Sequence, residues 1–425
     1  MNSNSRYIHL ERIFPVFITF LMLFCSHDTL LFGTNENETF ITIRKLIPFA
    51  IVAMTFPYVF FDRFVDTWKI FGTILLFVIP FVSCIVNNEP YDNYIYRGVI
   101  IISAAFFALV FDLKRFFEIY NRIMKYLTVW SCSVWLISLL LPDLIKMLPM
   151  ISNYESRDYY FALFSNVSYY NGLSRNLGIF REPGVYVVFL IFAVIGEMLI
   201  LENKRKRLNI VLYCVGLFTT FSTAGYVLLF ALAAYYLFVY HDSIKESIFI
   251  IVAIILGFLV AYQFGMLDVV FEKFSDGTNT YGSWLSRLSS ITRNLEIAAE
   301  NPFFGVGRYA LYDITLAVDG AYVADANTNT ILIGSAAYGI FFGIVVLFSC
   351  LRFVYYICRK KIFSTIFISL IVLAALSNED MGQNYVYYLL VFYGLFASFE
   401  KINNEKITDE ETDGVYDENN LVESR

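Results

Sequence analysis

Six arginines lie in two long segments, residues 149–184 and 268–329, that separate apolar runs of the chain. They are Arg157, Arg175, Arg181, Arg287, Arg293 and Arg308. A guanidinium presents a planar fork of donors that matches the oxygens of a phosphate or a carboxylate. Arginines kept beside a membrane, on the side where positive charge is disfavoured, indicate an anion to be bound.

The first group of candidate residues precedes the apolar run that begins at residue 185. It reads Arg175-Asn-Leu-Gly178-Ile-Phe-Arg181-Glu182-Pro183-Gly184. Pro183 suits the first turn of a helix, whose N-terminus offers free N–H groups and a positive dipole end to a phosphate. Glu182 could act as a base or only pair with Arg181. A capped helix start with interfacial ion pairs is the structural alternative.

A second group centres on Arg287. Apolar residues recur at helical spacing from Trp284 to Ala298, which predicts an amphipathic helix on or near the outer surface. Arg287, Ser290 and Asn294 follow one flank of this helix. The open alternative is that the flank is merely solvated.

The segment after this helix reads Glu300-Asn-Pro302-Phe-Phe-Gly305-Val-Gly307, in which Asn-Pro ends the helix and the glycines permit a tight loop. A simple turn explains it equally well. Asp325 and Asn329 then form a polar cluster at the entry to an apolar run that contains three glycines. Small residues inside a span let helices approach closely.

The elements that position these groups are membrane spans. The chain has 425 residues, 58% of them hydrophobic and 16% charged, with a mean hydropathy of +0.62. Soluble domains are about a quarter charged, and the longest uncharged runs here suffice to cross a bilayer as helices. We therefore predict an all-α polytopic membrane protein. Its six cysteines are interpreted as packing residues without disulfide or metal.

We predict about twelve spans, with the two long loops on the outer face. They are residues 13–32, 41–61, 69–86, 98–113, 126–148, 185–201, 209–222, 226–240, 248–267, 330–351, 362–377 and 385–399. The basic clusters at 114–125, 204–207 and 359–361 then share one side with both termini, as a cytoplasmic face requires. Residues 1–399 form one transmembrane domain, and 400–425 form an acidic cytoplasmic tail that we predict to be disordered.

Three motifs in this order resemble the O-antigen polymerase and O-antigen ligase superfamily of bacterial envelope glycosyltransferases. The first is Arg175-x-x-Gly-x-Phe-x-Glu-Pro. In the second, Arg287 lies fifteen residues before Pro302 of Asn-Pro-Phe-Phe-Gly-Val-Gly; in the third, Asn329 lies ten residues before Gly339. The resemblance covers roughly residues 175–343. A fainter match is Thr220-Phe-Ser222-Thr-Ala-Gly225.

The resemblance implies a GT-C-like architecture in the bacterial inner membrane, with an active site on the outer face. It implies polyprenyl-diphosphate-linked oligosaccharides as substrates, and a flippase and a chain-length regulator as possible partners, but no nucleic acid or cofactor. The expected catalytic residues are Arg175, Arg287, Glu182 and Asp325. The expected substrate-binding residues are Arg181, Arg293, Arg308, Asn329, Gly178 and Pro183.

Two departures from the family pattern bear on the reaction. Thr328 stands where members often carry His, and Thr223 stands where an Arg is expected. A missing imidazole favours a repeat-unit polymerase, for O-antigen or capsule, over a ligase, and leaves the base open. Glu182 and Asp325 are the first candidates for the base, and Glu379 and Asp380 are less favoured ones. His27 is the one histidine expected on the outer side.

Two alternatives from other classes remain at this point. A lipid-linked oligosaccharide flippase or other transporter should carry charges along a central cavity and show repeated halves, whereas here the charges concentrate in two unequal loops. A binding partner without catalysis is the other alternative. The outer loops contain no His/Asp/Glu cluster with the spacing of metal ligands, so arginine rather than a metal is expected to stabilise a leaving diphosphate.

Overall fold

The computed structural model describes residues 3–34, 37–60, 66–152, 158–170, 173–240, 252, 259, 262–263, 281–319 and 327–397. Fifteen α-helices lie within those residues and are numbered α1 to α15 in chain order. They are Ser3–Phe24, Glu38–Phe60, Thr67–Val86, Asp92–Val110, Leu113–Leu140, Pro142–Lys146, Pro183–Ile195, Lys206–Thr219, Thr223–Tyr235, Tyr281–Glu300, Arg308–Asp319, Thr330–Tyr338, Ile340–Ile357, Ile362–Ser377 and Tyr385–Phe396. Short π-helical turns at Leu30–Thr34, Gly196–Ile200 and Tyr236–Tyr240 complete the helical part.

The protein is a helical membrane protein, as expected. Within the described residues six helices are long and apolar enough to cross a membrane, and four shorter apolar helices accompany them. Most of the predicted span 248–267 lies outside the described residues, and so does all of the tail 400–425. The count of twelve spans and the division into domain and tail therefore stay predictions.

The all-α expectation is corrected by a small antiparallel sheet in the first long loop. Its strands, in the order β1-β2-β3-β4, are Met150–Ser152, Asp158–Phe161, Asn166–Tyr170 and Leu173–Gly178. The sheet lies against α5, where the indole N–H of Trp135 donates to the carbonyl of Ser174 at 2.9 Å. Asn171-Gly172, between two runs rich in Tyr and Val or Leu, is a strong hairpin signal that the helical interpretation overlooked.

Two helices occupy the centre of the bundle. Every residue of α7 is buried, and so is nearly every residue of α15. Both helices are largely apolar on all sides, which permits a position inside the bundle. Asp28, after α1, accepts a hydrogen bond from Asn384 at the start of α15 and lies 3.6 Å from Arg181 at the start of α7. Both central helices therefore begin at the same end of the bundle.

The helix pair α12 and α13 is one apolar segment broken at Gly339, whose φ is +95°. Three hydrogen bonds join the break to the loop that follows α10: Ile340 N to Pro302 O at 2.8 Å, Val306 N to Ala336 O at 3.0 Å and Gly307 N to Ala337 O at 3.0 Å. Backbone groups freed inside a membrane must find partners in the protein. The Asn-Pro-Phe-Phe-Gly-Val-Gly motif provides them and locks the broken helix in place.

The two ends of the bundle agree with the predicted sidedness. Glu202 and Arg359, in two loops predicted to share a face, lie 4.0 Å apart. The loops that carry Asp28, Glu89, Arg181, Asn329 and Glu379 meet at the other end. The alternation of spans places all five of them outside. Proximity thus supports the grouping, while the assignment of one group to the outer face remains a prediction.

Candidate active site at one end of the bundle

The first motif forms the start of the central helix α7. Pro183 is its first residue, as predicted, and Glu182 precedes it in an extended conformation. A Cβ at Gly184 would lie 2.1 Å from Oε1 of Glu379. The helix N-terminus, with its unpaired N–H groups, is therefore in contact with a carboxyl group from the loop before α15.

Arg181 lies among three carboxyl groups. Its guanidinium is 3.3 Å from Glu182, 3.6 Å from Asp28 and 4.0 Å from Glu379. Its side chain is only 15% exposed, and its backbone N–H donates to the carbonyl of Asp28 at 2.9 Å. An incoming anion would have to displace one of these contacts. The guanidinium of Arg181 thus contacts these carboxyl groups in the structure, and its contact with a substrate stays a prediction.

Glu379 has an unusual electrostatic environment for a glutamate. Burial and the negative charge of Glu182 raise its pKa to about 8, although Arg181 and Arg287 act in the opposite direction. A carboxyl group that titrates near neutral pH at the end of a central helix is a candidate for proton transfer. From the sequence alone Glu379 ranks behind Glu182 and Asp325 as a candidate base, because nothing local to it signals burial.

Asn329 and Thr330 hold the loop that carries Glu379. Asn329 caps α12 with a left-handed φ of +77°, and its amide donates to Oγ of Ser377 at 3.0 Å. Thr330 Oγ1 donates to the carbonyl of Glu379 at 2.9 Å and accepts from the N–H of Met381 at 2.9 Å. The third motif therefore positions Glu379, which explains why an Asn-Thr pair opens this helix.

The helix α10 confirms the predicted amphipathic helix, but its polar flank is buried rather than solvated. Ser290 and Asn294 are buried, whereas Leu295 of the apolar stripe is 50% exposed. Ser290 Oγ lies 3.2 Å from Oγ1 of Thr328, and the Asn294 amide donates to Oδ1 of Asn327 at 2.8 Å. The idea of a solvated flank is wrong, because this polar flank pairs with the segment leading into α12.

Arg287 lies on the same flank and is half-buried. Among the described residues its guanidinium has no ion pair or hydrogen bond, yet its charge is close enough to act on the pKa of Glu379. A half-buried guanidinium with available donors is well suited to bind an anion.

Two of the predicted arginines are engaged elsewhere. Arg175, on β4, donates to the carbonyl oxygens of Thr220 and Phe221 at 3.3 and 3.4 Å, where α8 ends. The first motif thereby contacts the fainter Thr220–Gly225 match. Arg293 pairs with Glu296 along α10 at 3.2 Å, an ordinary surface pair. Their described contacts do not bring them to Glu379.

Arg308 belongs to a second cluster of charged residues. This cluster includes Asp380, the residue that follows Glu379 in the chain. The guanidinium of Arg308 pairs with Asp380, and its backbone N–H donates to the carboxylate of Glu89 at 2.8 Å. Burial would raise the pKa of Asp380, but Arg308 and Arg97 hold it at about 2. Sequence analysis missed Glu89, Arg97 and Asp28, although charged residues at the ends of apolar runs are a usable signal.

The remaining predicted residues are Gly178 and Asp325. Gly178 ends β4 with a φ of +57° and lies against the ring of Tyr186, so its described role is to let the chain turn into α7. Asp325, like Arg157, lies outside the described residues. Within the described part of the chain, no three His, Cys, Asp or Glu side chains are grouped so as to hold a metal ion.

A comparison with protein-family models gives a match. Residues 208–329 match the family model described as O-antigen ligase, a stretch that includes Arg287, Arg308 and Asn329 but not the Arg175–Gly184 motif. No curated protein matches the chain. The match indicates an O-antigen ligase/polymerase-type function in a multi-pass membrane protein, and it confirms the resemblance to the O-antigen polymerase and O-antigen ligase superfamily that the motifs predict.

Proposed function

We propose that the protein is a polysaccharide repeat-unit polymerase of the O-antigen or capsule type. It transfers a glycan from polyprenyl diphosphate to a hydroxyl group of a lipid-linked repeat unit. The observation that carries this proposal is the contact between the buried carboxyl of Glu379 and the N-terminus of α7 at one end of the bundle, with Arg287 close enough to act electrostatically on that carboxyl. Such a site combines anion binding with proton transfer, which glycosyl transfer from a diphosphate requires.

The leaving diphosphate is the group that needs the most stabilisation. The N–H groups at the start of α7 and the guanidinium of Arg287 both suit phosphate oxygens. Donors directed at charge that develops in the transition state contribute about 3–4 kcal/mol each. We assign Arg287 this role and keep Glu182 and Asp325 as further predicted participants. On this proposal the bundle is a GT-C-type glycosyltransferase of the bacterial inner membrane, with its site on the outer face.

The choice of polymerase rests on Thr328. Its side chain lies within hydrogen-bonding distance of Ser290, 3.2 Å away, and it stands where a ligase is expected to present an imidazole. The second candidate is the ligase, which passes a finished glycan to another acceptor. It is favoured by the description of the matched family model, which names an O-antigen ligase.

Deletion of the gene separates the two reactions. Loss of a polymerase should leave single repeat units, free on lipid or capped onto the acceptor, with no ladder of longer products. Loss of a ligase should leave long polymer stranded on its lipid carrier, and finding that polymer would exclude the polymerase. Complementation with the wild-type gene is the control, because it must restore the ladder.

A further inference from the structure

We propose that Glu379 accepts the proton of the attacking hydroxyl group, the role that the missing imidazole would otherwise fill. This inference rests on the proposed function, since it names the base of that same site. From the sequence alone the base stays open between Glu182 and Asp325, with Glu379 behind them. The contacts of Glu379 now favour it.

The position of Glu379 at the start of α7 supports its assignment as the base. Its Oε1 lies against Gly184 at the N-terminus of α7, where a diphosphate is expected, and Nδ2 of Asn378 lies 3.4 Å from that oxygen. The hydrogen bonds of Thr330 to the backbone at Glu379 and Met381 hold this loop against α12. A carboxyl group that its loop holds in one place is pre-organised to receive a proton from a bound hydroxyl group.

The charges that act on Glu379 come from several elements of the bundle, whereas α12 contributes only polar contacts. Arg181 and Glu182 precede α7, Asp28 follows α1, Arg287 lies on α10, and Asp380 is the next residue. Burial and Glu182 together outweigh the two arginines, so that the pKa of Glu379 is about 8. Ordinary glutamates are far weaker bases, whereas a group that titrates near the working pH is well matched to proton transfer.

The other described candidates are less suitable. Burial and Arg181 lower the pKa of His27 to about 3, so its imidazole binds a proton poorly. Asp380 is paired with Arg308 and titrates at about 2. Glu182 lies 3.3 Å from Arg181, nearer than the 4.0 Å that separates Arg181 from Glu379. Glu379 combines a raised pKa with a loop that Thr330 holds in place.

The hydroxyl oxygen of the acceptor sugar forms a bond to the anomeric carbon of the donor glycan, and its proton passes to a carboxylate oxygen of Glu379. The bond between the anomeric carbon and the diphosphate oxygen breaks, and its electron pair leaves with the polyprenyl diphosphate. Arg287 stabilises the charge that appears there. Glu379 then releases the proton to water before the next cycle.

The test compares Glu379→Gln with Glu296→Gln, a matched change on the exposed surface of α10. Gln has the shape and the neutral charge of protonated Glu379, so the variant should fold. With purified protein and lipid-linked repeat units, we expect E379Q to lose roughly a hundred- to ten-thousand-fold in turnover and E296Q to lose none. Binding of farnesyl diphosphate, a probe of the diphosphate site that carries no sugar, should be unchanged in both.

The pH dependence gives a second measurement that does not depend on the variant. Wild-type turnover should rise with pH, reach half of its maximum near pH 8 and level off about one unit higher, because the deprotonated carboxylate is the active form. The residual turnover of E379Q should lack this rise. A wild-type rate that is flat from pH 6 to pH 9 would contradict the assignment even if E379Q failed to fold.

Other results would overturn the proposal in distinguishable ways. Wild-type turnover in E379Q, or a loss confined to Glu182→Gln or Asp325→Asn, would assign the base elsewhere. Loss of farnesyl diphosphate binding in E379Q would make Glu379 part of the anion site rather than the base. A wild-type protein that joins no repeat units would refute the proposed function itself, and the base with it.

Discussion

The carboxyl group of Glu379 occupies the space that a side chain at position 184 would need. An ideal Cβ on Gly184 would lie 2.1 Å from Oε1 of Glu379, far inside van der Waals contact. Two residues almost two hundred positions apart are therefore fitted to each other at the N-terminus of α7. This contact joins the first sequence motif to the proposed base.

Replacement of Gly184 by Ala should displace either Glu379 or the first turn of α7. We expect a large loss of turnover and a loss of about 1–3 kcal/mol in the free energy of unfolding, as overpacking typically costs. Turnover and thermal unfolding of the purified variant measure both. Gly72→Ala is the control, because its new methyl group would meet only the end of the Leu395 side chain. Normal turnover and stability in G184A would show that the contact is not restrictive.

Replacement of Arg287 by Ala should abolish polymer while the protein still accumulates in the membrane. Its guanidinium has no ion pair among the described residues, so its removal costs anion binding rather than stability. Lys should rescue poorly, because a point charge cannot replace a fork of donors. Polymer length on a gel is the measurement. Arg293→Ala, on the same helix, should have little effect, and an equal loss there would argue for a general charge effect.

Replacement of Arg175 by Ala should lower both stability and polymer. Its hydrogen bonds to the carbonyl oxygens of Thr220 and Phe221 satisfy acceptors where α8 ends. Hydrogen bonds from charged donors contribute about 1.5–3 kcal/mol. Thermal unfolding should therefore distinguish R175A from R287A. Unchanged stability in R175A, together with lost polymer, would instead place Arg175 in the substrate site.

The stability of the protein should respond to the proton on Glu379. Its pKa is about 8 in the folded protein and near its ordinary value of 4.5 in the unfolded chain. Between these values the folded protein binds more protons, so its stability should fall as pH rises from about 4.5 to about 8. Glu379→Gln cannot ionise and should gain stability relative to wild type across that range. Parallel unfolding curves from pH 5 to pH 9 would rule out the shift.

Turnover should survive the removal of divalent metals. The outer loops show no spacing typical of metal ligands, and arginine is expected to stabilise the diphosphate. The measurement is turnover of lipid-linked repeat units by purified protein in excess EDTA. Activity that is lost in EDTA and restored by magnesium or manganese would show that a metal, rather than Arg287, stabilises the leaving group.

The sequence by itself determined the class of the protein and several local elements. Hydropathy predicts a helical membrane protein because each span must bury its own backbone groups and present apolar side chains. Pro183 predicts the start of α7, and the apolar period from Trp284 to Ala298 predicts α10. These features depend on neighbours within a few residues, so a linear pattern records them. The sheet had a local signal too, at Asn171-Gly172, which the helical interpretation overlooked.

Only the tertiary structure decided which charged residues meet. Nothing local distinguishes Arg287, with its available donors, from Arg175, which holds the end of α8. Nor does the pattern show that the polar flank of α10 is buried, or that Glu379 lies against α7. Electrostatic coupling and desolvation depend on separations of a few ångströms between groups far apart in sequence. Those separations are set by how the helices pack, which no single segment encodes.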